Sequence, residues 1–324
     1  MKKGKLFTLL PLMLLPFMMT GCNGNKKTIG ICQFVEHPAL DKASEGFMDA
    51  VKKGLGENNV KFDLQVAQED PGTCLTICNT FVSKKVDLIM ANATPAVQAA
   101  ANSTKSIPIL GTSVTEYGVA LDIKDFNGTI GYNVSGTSDL APLTEQAAMI
   151  KTFVPNAQSV GLLYCSAEAN SLYQVKVVED FLKAQNITTK RISFSESNEL
   201  SPVLTAGIEG IDALYIPTDN VCAKNTTIID SICRPAKMPV ICGEESLCKG
   251  CGIATLSIDY YALGVKTGEM AVEILKDGKD ISKMPIAYDN SPVKKFNKAI
   301  CHWPVCRWWR WRRWRRQQRR HVDK

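Results

Sequence analysis

The stretch TIGICQFVEHPALDK, Thr28 to Lys42, carries the pattern from which the fold of this 324-residue chain follows. A short apolar run rich in β-branched residues, Thr28–Val35, gives way to polar residues and then to an amphipathic segment beginning near Pro38. Proline suits a first helical turn, where its missing N–H leaves no hydrogen bond unmade. The unit reads as a strand followed by a helix. It recurs, with strands expected at Phe62–Ala67, Val86–Ala93, Ile107–Val114 and Thr129–Val134 and helices beginning near Pro71 and Pro95. Strands alternating with helical stretches specify a parallel sheet covered on both faces, so the fold class is α/β.

The pattern then starts over. Ser159–Cys165, Thr188–Ser195, Ala213–Pro217, Val240–Gly243 and Ala254–Ile258 read as a second set of strands with helical segments between them. Two doubly wound parallel-sheet units imply two lobes joined by a hinge and facing each other across a cleft. The first lobe is expected over 28–135 and the second over 136–261, with the first crossover near Ser135–Asp139. A last amphipathic helix, Tyr260–Lys276, ends at Asp277-Gly278, where glycine suits a left-handed cap. Beyond it the first lobe is expected to be rejoined by about 262–285 and the second by about 286–300.

The two ends differ from this body. Lys2, Lys3 and Lys5 precede an apolar run from Leu6 to Met19, and Thr20-Gly21-Cys22 follows, so residues 1–21 read as a signal peptide. The run is shorter than the roughly 20 residues of a membrane-spanning helix. Met19-Thr20-Gly21-Cys22 also resembles the bacterial lipobox, which makes Cys22 the expected site of lipidation and 22–27 a flexible tether. At the other end, residues 301–324 hold all five tryptophans and eight of the ten arginines. Nine basic residues and one acidic residue give that segment +8, which leaves −2 for residues 1–300 against the total of +6. Guanidinium and indole groups suit phosphate or a lipid interface. TGG and CGG codons read one base out of frame spell glycine, and an aberrant, disordered tail is the expectation here, with no nucleic-acid partner.

The chemistry that remains is binding rather than catalysis. No G-x-G-x-x-G follows a strand, no G-x-x-x-x-G-K-[ST] occurs, and no nucleophile has a placed base, so neither an enzyme nor a cofactor is expected. His37 is the single histidine of the body, and its place before Pro38 suggests the start of a helix more than a general base. The twelve cysteines lie mostly in apolar strand-like stretches, as Cys32, Cys165 and Cys242 do, and are expected to be buried thiols. Cys74 with Cys78 and Cys248 with Cys251 are the local candidates for disulfides, and Cys248-Lys249-Gly250-Cys251 lacks the second pair that a metal site needs.

In open α/β sheets ligands bind beyond the carboxyl ends of the strands, where helix N-termini offer free N–H groups. The segments there are short and polar: Phe34 to Pro38, Ala91 to Pro95, Ser113 to Tyr117, Ser166 to Ser171, Pro217 to Asn220 and Gly243 to Glu245. Hydroxyls and helix starts suit a carboxylate, and Glu36, Asp219 and Glu244 suit an ammonium, so a zwitterion answers both. The same residue types in the same places also serve as plain helix caps.

Five stretches carry a family resemblance: VEHPALD at Val35–Asp41, ATPA at Ala93–Ala96, SAEANS at Ser166–Ser171, PTDN at Pro217–Asn220 and SIDYYALG at Ser257–Gly264. Together they resemble the ABC-importer substrate-binding lipoproteins that include tryptophan- and tyrosine-binding members, over essentially Thr28 to Cys301. The resemblance implies a type I periplasmic-binding-protein fold, an amino-acid ligand between hinged lobes, and a membrane permease with its ATPase as partner. By matching motif positions it implies ligand contacts from Glu36, Thr94 and Thr115 of the first lobe and Ser166, Asn170, Asp219, Asn220 and Glu244 of the second. Phe34, Thr115-Glu116-Tyr117 and the Arg/Trp tail depart from the pattern of close relatives. A ligand-sensing subunit of a membrane receptor is the alternative that this sequence leaves open.

Overall fold

The computed structural model describes residues 26–289 and 291–300, so the expected signal peptide, Cys22 and the 301–324 tail lie outside the described residues. The first lobe holds strands β1 (Lys27–Gln33), β2 (Val60–Val66), β3 (Leu88–Asn92), β4 (Ile109–Val114) and β5 (Val134–Ser138). Between them run helices α1 (Pro38–Leu55), α2 (Pro71–Ser83), α3 (Thr94–Ser103) and the single turn α4 (Tyr117–Ala120). Every residue of β3, β4 and β5 is buried, because helices cover both faces of the sheet. That double burial is why such strands read as continuous apolar runs.

The chain then crosses to α5 (Leu143–Phe153) and repeats the plan with β6 (Ser159–Cys165), α6 (Ala169–Ala184), β7 (Thr188–Phe194), α7 (Leu200–Gly207) and β8 (Ala213–Ile216). Helices α8 (Asn220–Lys224) and α9 (Thr226–Cys233), β9 (Val240–Cys242), α10 (Glu245–Gly250) and β10 (Ala254–Ser257) complete the second set. It returns through α11 (Tyr260–Leu275) and β11 (Ala287–Tyr288) to the first lobe and ends with β12 (Val293–Phe296) in the second. The sheets run β2-β1-β3-β4-β5-β11 and β7-β6-β8-β9-β10-β12, the same order in each lobe. All pairings within them are parallel except β12 on β10. Two doubly wound lobes with three connections between them form a type I periplasmic-binding-protein fold.

The borders differ from the sequence reading in four places. Lys27, expected to belong to the tether, already pairs with Val60. The expected strand Thr129–Val134 begins only at Val134, because Gly128 and Gly131 bend the chain at φ of 95° and 85°. Strand β5 runs on to Ser138, past the expected lobe border at residue 135, and the crossover follows within the expected Ser135–Asp139. Ala287 and Tyr288 pair with Thr137 and Ser138, which places the start of the 286–300 segment in the first lobe. The nine described cysteines are buried and form no disulfide, so Cys74–Cys78 and Cys248–Cys251 are not bridged.

Helix α11 belongs to the first lobe through close contact with α1. A Cβ on Gly264 would collide with the backbone of Ala43, and one on Gly46 with the carbonyl of Tyr261. These glycines let the two helix backbones touch. The N-terminal end of α11 is thereby held at the cleft.

Candidate ligand-binding cleft

The carboxyl ends of β1, β4, β6, β8 and β9 face one cleft of about 270 Å³, a volume that includes space open to solvent. His37, Ser113 and Thr115 line it from the first lobe, and Asn170, Thr218, Asp219, Asn220 and Glu244 from the second. Asp139 and Tyr260 line it from the crossovers, and Leu40 and Ala223 supply apolar wall. The lobes meet here: His37 Nε2 lies 3.2 Å from Asn220 Oδ1. Tyr260 donates its hydroxyl to Asp139 Oδ2 at 2.9 Å, which joins the first crossover to the second.

Two of the three lining carboxylates are occupied by the fold. Asp219 accepts from the Cys165 N–H, the Ser171 hydroxyl and the Cys222 N–H, so both oxygens are engaged in capping α8 and anchoring β6. Glu244 caps α10, accepting from the Ser246 N–H and hydroxyl and the Leu247 N–H. Asp139 differs: Oδ2 accepts from Tyr260, while Oδ1 is buried without a partner. Burial pushes its carboxyl up to about 6, with the Tyr260 and Thr115 hydroxyls pulling it back and the charge of Glu244 adding to the rise.

A fourth carboxylate, Glu168, stands behind the cleft and sets the orientation of its amides. It accepts from the side-chain NH₂ groups of Asn170 and Asn220 and from the backbone N–H groups of Asn220 and Val221. With its nitrogen on Glu168, Asn220 turns Oδ1 toward His37. His37 therefore donates from Nε2, and Nδ1 keeps its lone pair, a tautomer assigned from the hydrogen-bond network. Burial lowers the His37 pKa, with Glu244 opposing, and holds the ring neutral at neutral pH. Glu168 itself is pushed up to about 8 by burial and by the neighbouring Asp219, against the pull of its amide donors.

Four buried polar atoms of the lining have no partner among the described residues: His37 Nδ1, Ser113 Oγ, Asp139 Oδ1 and Asn170 Oδ1. Buried polar atoms are nearly always hydrogen-bonded, and each one left unmade costs about 1–3 kcal/mol. Ser113 also adopts φ of 55° at the end of β4, a left-handed conformation that non-glycine residues seldom take. Strain and unmet hydrogen bonds coincide in one place from both lobes. Such a cleft suits a small polar ligand with several hydrogen-bonding groups.

Of the residues expected from sequence, Thr115, Asn170, Asp219, Asn220 and Glu244 line the cleft. Glu36 and Ser166 do not: both are exposed, and Ser166 donates to the Phe194 carbonyl. Thr94 is buried at the start of α3 outside the lining. Glu36 lies one residue away from the inward position, which His37 fills. His37, Ser113, Asp139, Thr218 and Tyr260 also line the cleft and are not among the expected ligand contacts. Each lies where the sequence points: His37, Ser113 and Thr218 belong to the segments beyond the strand ends, Asp139 falls at the expected crossover and Tyr260 at the head of the last helix.

The family model for ABC transporter substrate binding protein matches residues 28–302. The chain belongs to that family. This substrate-binding protein is 39% identical over 287 residues to a tyrosine-binding protein of Clostridioides difficile (strain R20291), covering 83% of each chain. It superposes with a TM-score of 0.81 on an ABC domain from Streptococcus pneumonia in complex with L-Trp, at 30% identity and covering 85% of this chain and 93% of that one. On the ligand-free, open structure of a substrate-binding protein with adhesive properties from Clostridium difficile the TM-score is 0.65, at 38% identity and the same coverage. The more identical chain superposes less well. That order agrees with lobes that meet through His37 and Asn220, a closed arrangement.

As a member of the family, this substrate-binding protein binds a solute and is not an enzyme. Substrate-binding proteins of ABC transporters are extracytoplasmic, and no described helix is long and apolar enough to cross a membrane.

Proposed function

We propose that this chain is the lipid-anchored, amino-acid-binding component of an ABC importer, delivering its ligand to a permease driven by an ATPase. The observation that carries the reading is the set of four unpartnered buried polar atoms drawn from both lobes and the crossover into one closed cleft. A ligand that satisfies them bridges the lobes and favours the closed form, which is how a hinged receptor converts occupancy into a shape that a partner reads. Ser113 and Thr115 offer hydroxyls for a carboxylate, while Asp139 and Asn170 offer acceptors for an ammonium. The names of the two relatives, a tyrosine-binding protein and a complex with L-Trp, support an aromatic amino acid. The lipobox-like run ending at Cys22 supports a lipid anchor.

Thermal unfolding against a panel of amino acids and other small solutes tests the reading, because a ligand that binds the folded state raises the melting temperature by linkage. A selective rise with tyrosine, tryptophan or phenylalanine is the expected outcome. A rise with a solute that is not an amino acid redirects the substrate, and no rise with any solute removes the proposal.

A further inference from the structure

We infer that Asp139 selects ligands that carry a protonated amino group, and that its bond to Tyr260 links this recognition to the hinge. The inference rests on the amino-acid reading and narrows it to the group that is read.

It follows first by elimination. Of the three carboxylates in the lining, Asp219 and Glu244 have both oxygens engaged by the caps and backbone they hold. Asp139 alone keeps an unpartnered oxygen, on a residue only 3% exposed. An ionised carboxylate so buried, with only hydroxyl groups as side-chain donors and Oδ1 unpartnered, is under-satisfied. A cationic N–H group supplies the missing bond and the opposite charge together.

The other unpartnered atoms point the same way. Asn170 directs its NH₂ to Glu168 and the Thr218 carbonyl, which leaves Oδ1 as an acceptor. His37 Nδ1 is an acceptor by the tautomer that Asn220 imposes. Acceptors therefore dominate what the cleft leaves unmet, and an ammonium carries three donors and no acceptor. Glu244 faces both Asp139 and His37 with like charge or attraction for a cation, and Lys224 acts on His37 from the second lobe. Thr115, Tyr117 and Tyr260, all uncharged, complete the surroundings of Asp139.

The position supplies the second half. Asp139 is the first residue after β5 and Tyr260 the first of α11, so their bond spans two of the three connections between lobes. A ligand nitrogen on Oδ1 sits across the same carboxylate from that bond. It keeps Asp139 ionised and so strengthens the acceptor that Tyr260 uses.

The test titrates the full chain and its Asp139→Asn variant calorimetrically with four series: L-amino acids, their des-amino carboxylic acids, their decarboxylated amines, and polyols. Expected is at least a tenfold loss of affinity when the amino group is removed from a bound amino acid, and a similar loss in Asp139→Asn, as for a hydrogen bond to a charged group. The ligand series needs no variant, and the melting transition of Asp139→Asn shows whether it is folded. Amino-acid binding that survives both changes overturns the inference while leaving the amino-acid reading intact. Binding of the amines without the amino acids overturns that reading and keeps the inference. Binding only of des-amino acids or polyols, or of nothing, overturns both.

Discussion

Glu168 shows how one buried side chain orders a cleft it does not line. Its oxygens fix the amides of Asn170 and Asn220, and through Asn220 the tautomer of His37. Its pKa is pushed from an ordinary value of 4.5 to about 8, so between these values the folded state holds a proton that the unfolded state releases. Stability from this group is therefore full below about pH 4.5 and is lost as the pH rises toward 8. Replacing it by the neutral isostere, Glu168→Gln, is expected to flatten that loss. Melting temperatures measured from pH 5 to 8 should fall more steeply in the wild type than in the variant, and parallel profiles would contradict the assignment. None of this was legible in the sequence. SAEANS marked the segment, and the polar types at strand ends marked Thr115, Asn170, Asp219, Asn220 and Glu244, but which oxygens stay open depends on hydrogen bonds between residues some fifty positions apart, such as Ser171 to Asp219. The same blindness favoured Glu36 over His37, since a one-residue change in direction at the end of β1 decides which of the two faces inward.

At the level of elements the sequence was more informative. Helices begin at Pro38, Pro71 and Thr94, where prolines at the first turn announced them, and β6 spans Ser159–Cys165 as its apolar run indicates. Apolar periodicity is a local property, so elements buried against their own lobe are readable. Strands β11 and β12, of two and four residues, are too short to carry a period and owe their existence to the sheet edges they join. The contact of α1 with α11 is likewise tertiary. Alanine gains about 1 kcal/mol over glycine in a helix, yet Gly264→Ala drives a methyl group into the Ala43 backbone. The substitution is expected to lower stability by about 1–3 kcal/mol net, as overpacking does, and urea unfolding with the midpoint and slope fitted separately checks it. An unchanged or raised midpoint would mean that the two helices part without penalty.

For the whole molecule, the duplicated sheet order makes two lobes, and the cleft residues couple them. His37 is buried where the lobes meet, and its pKa is lowered by that burial. The sign follows: stability of the closed form is present above the ordinary value of 6.5 and is lost as the pH falls through the lowered value. Asp139, pushed up to about 6, also loses its charge on acidification. Affinity for an amino acid is therefore expected to fall between pH 7 and pH 5, and less so in His37→Gln, as read by titration calorimetry at each pH. Deleting residues 301–324 is expected to leave the affinity at pH 7 unchanged, because every cleft residue lies between His37 and Tyr260. The most direct test of capture by closing lobes is small-angle X-ray scattering of the chain with and without the amino acid that most raises its melting temperature. A smaller radius of gyration is expected on saturation, whereas scattering unchanged by a bound amino acid would mean that the lobes do not close on it.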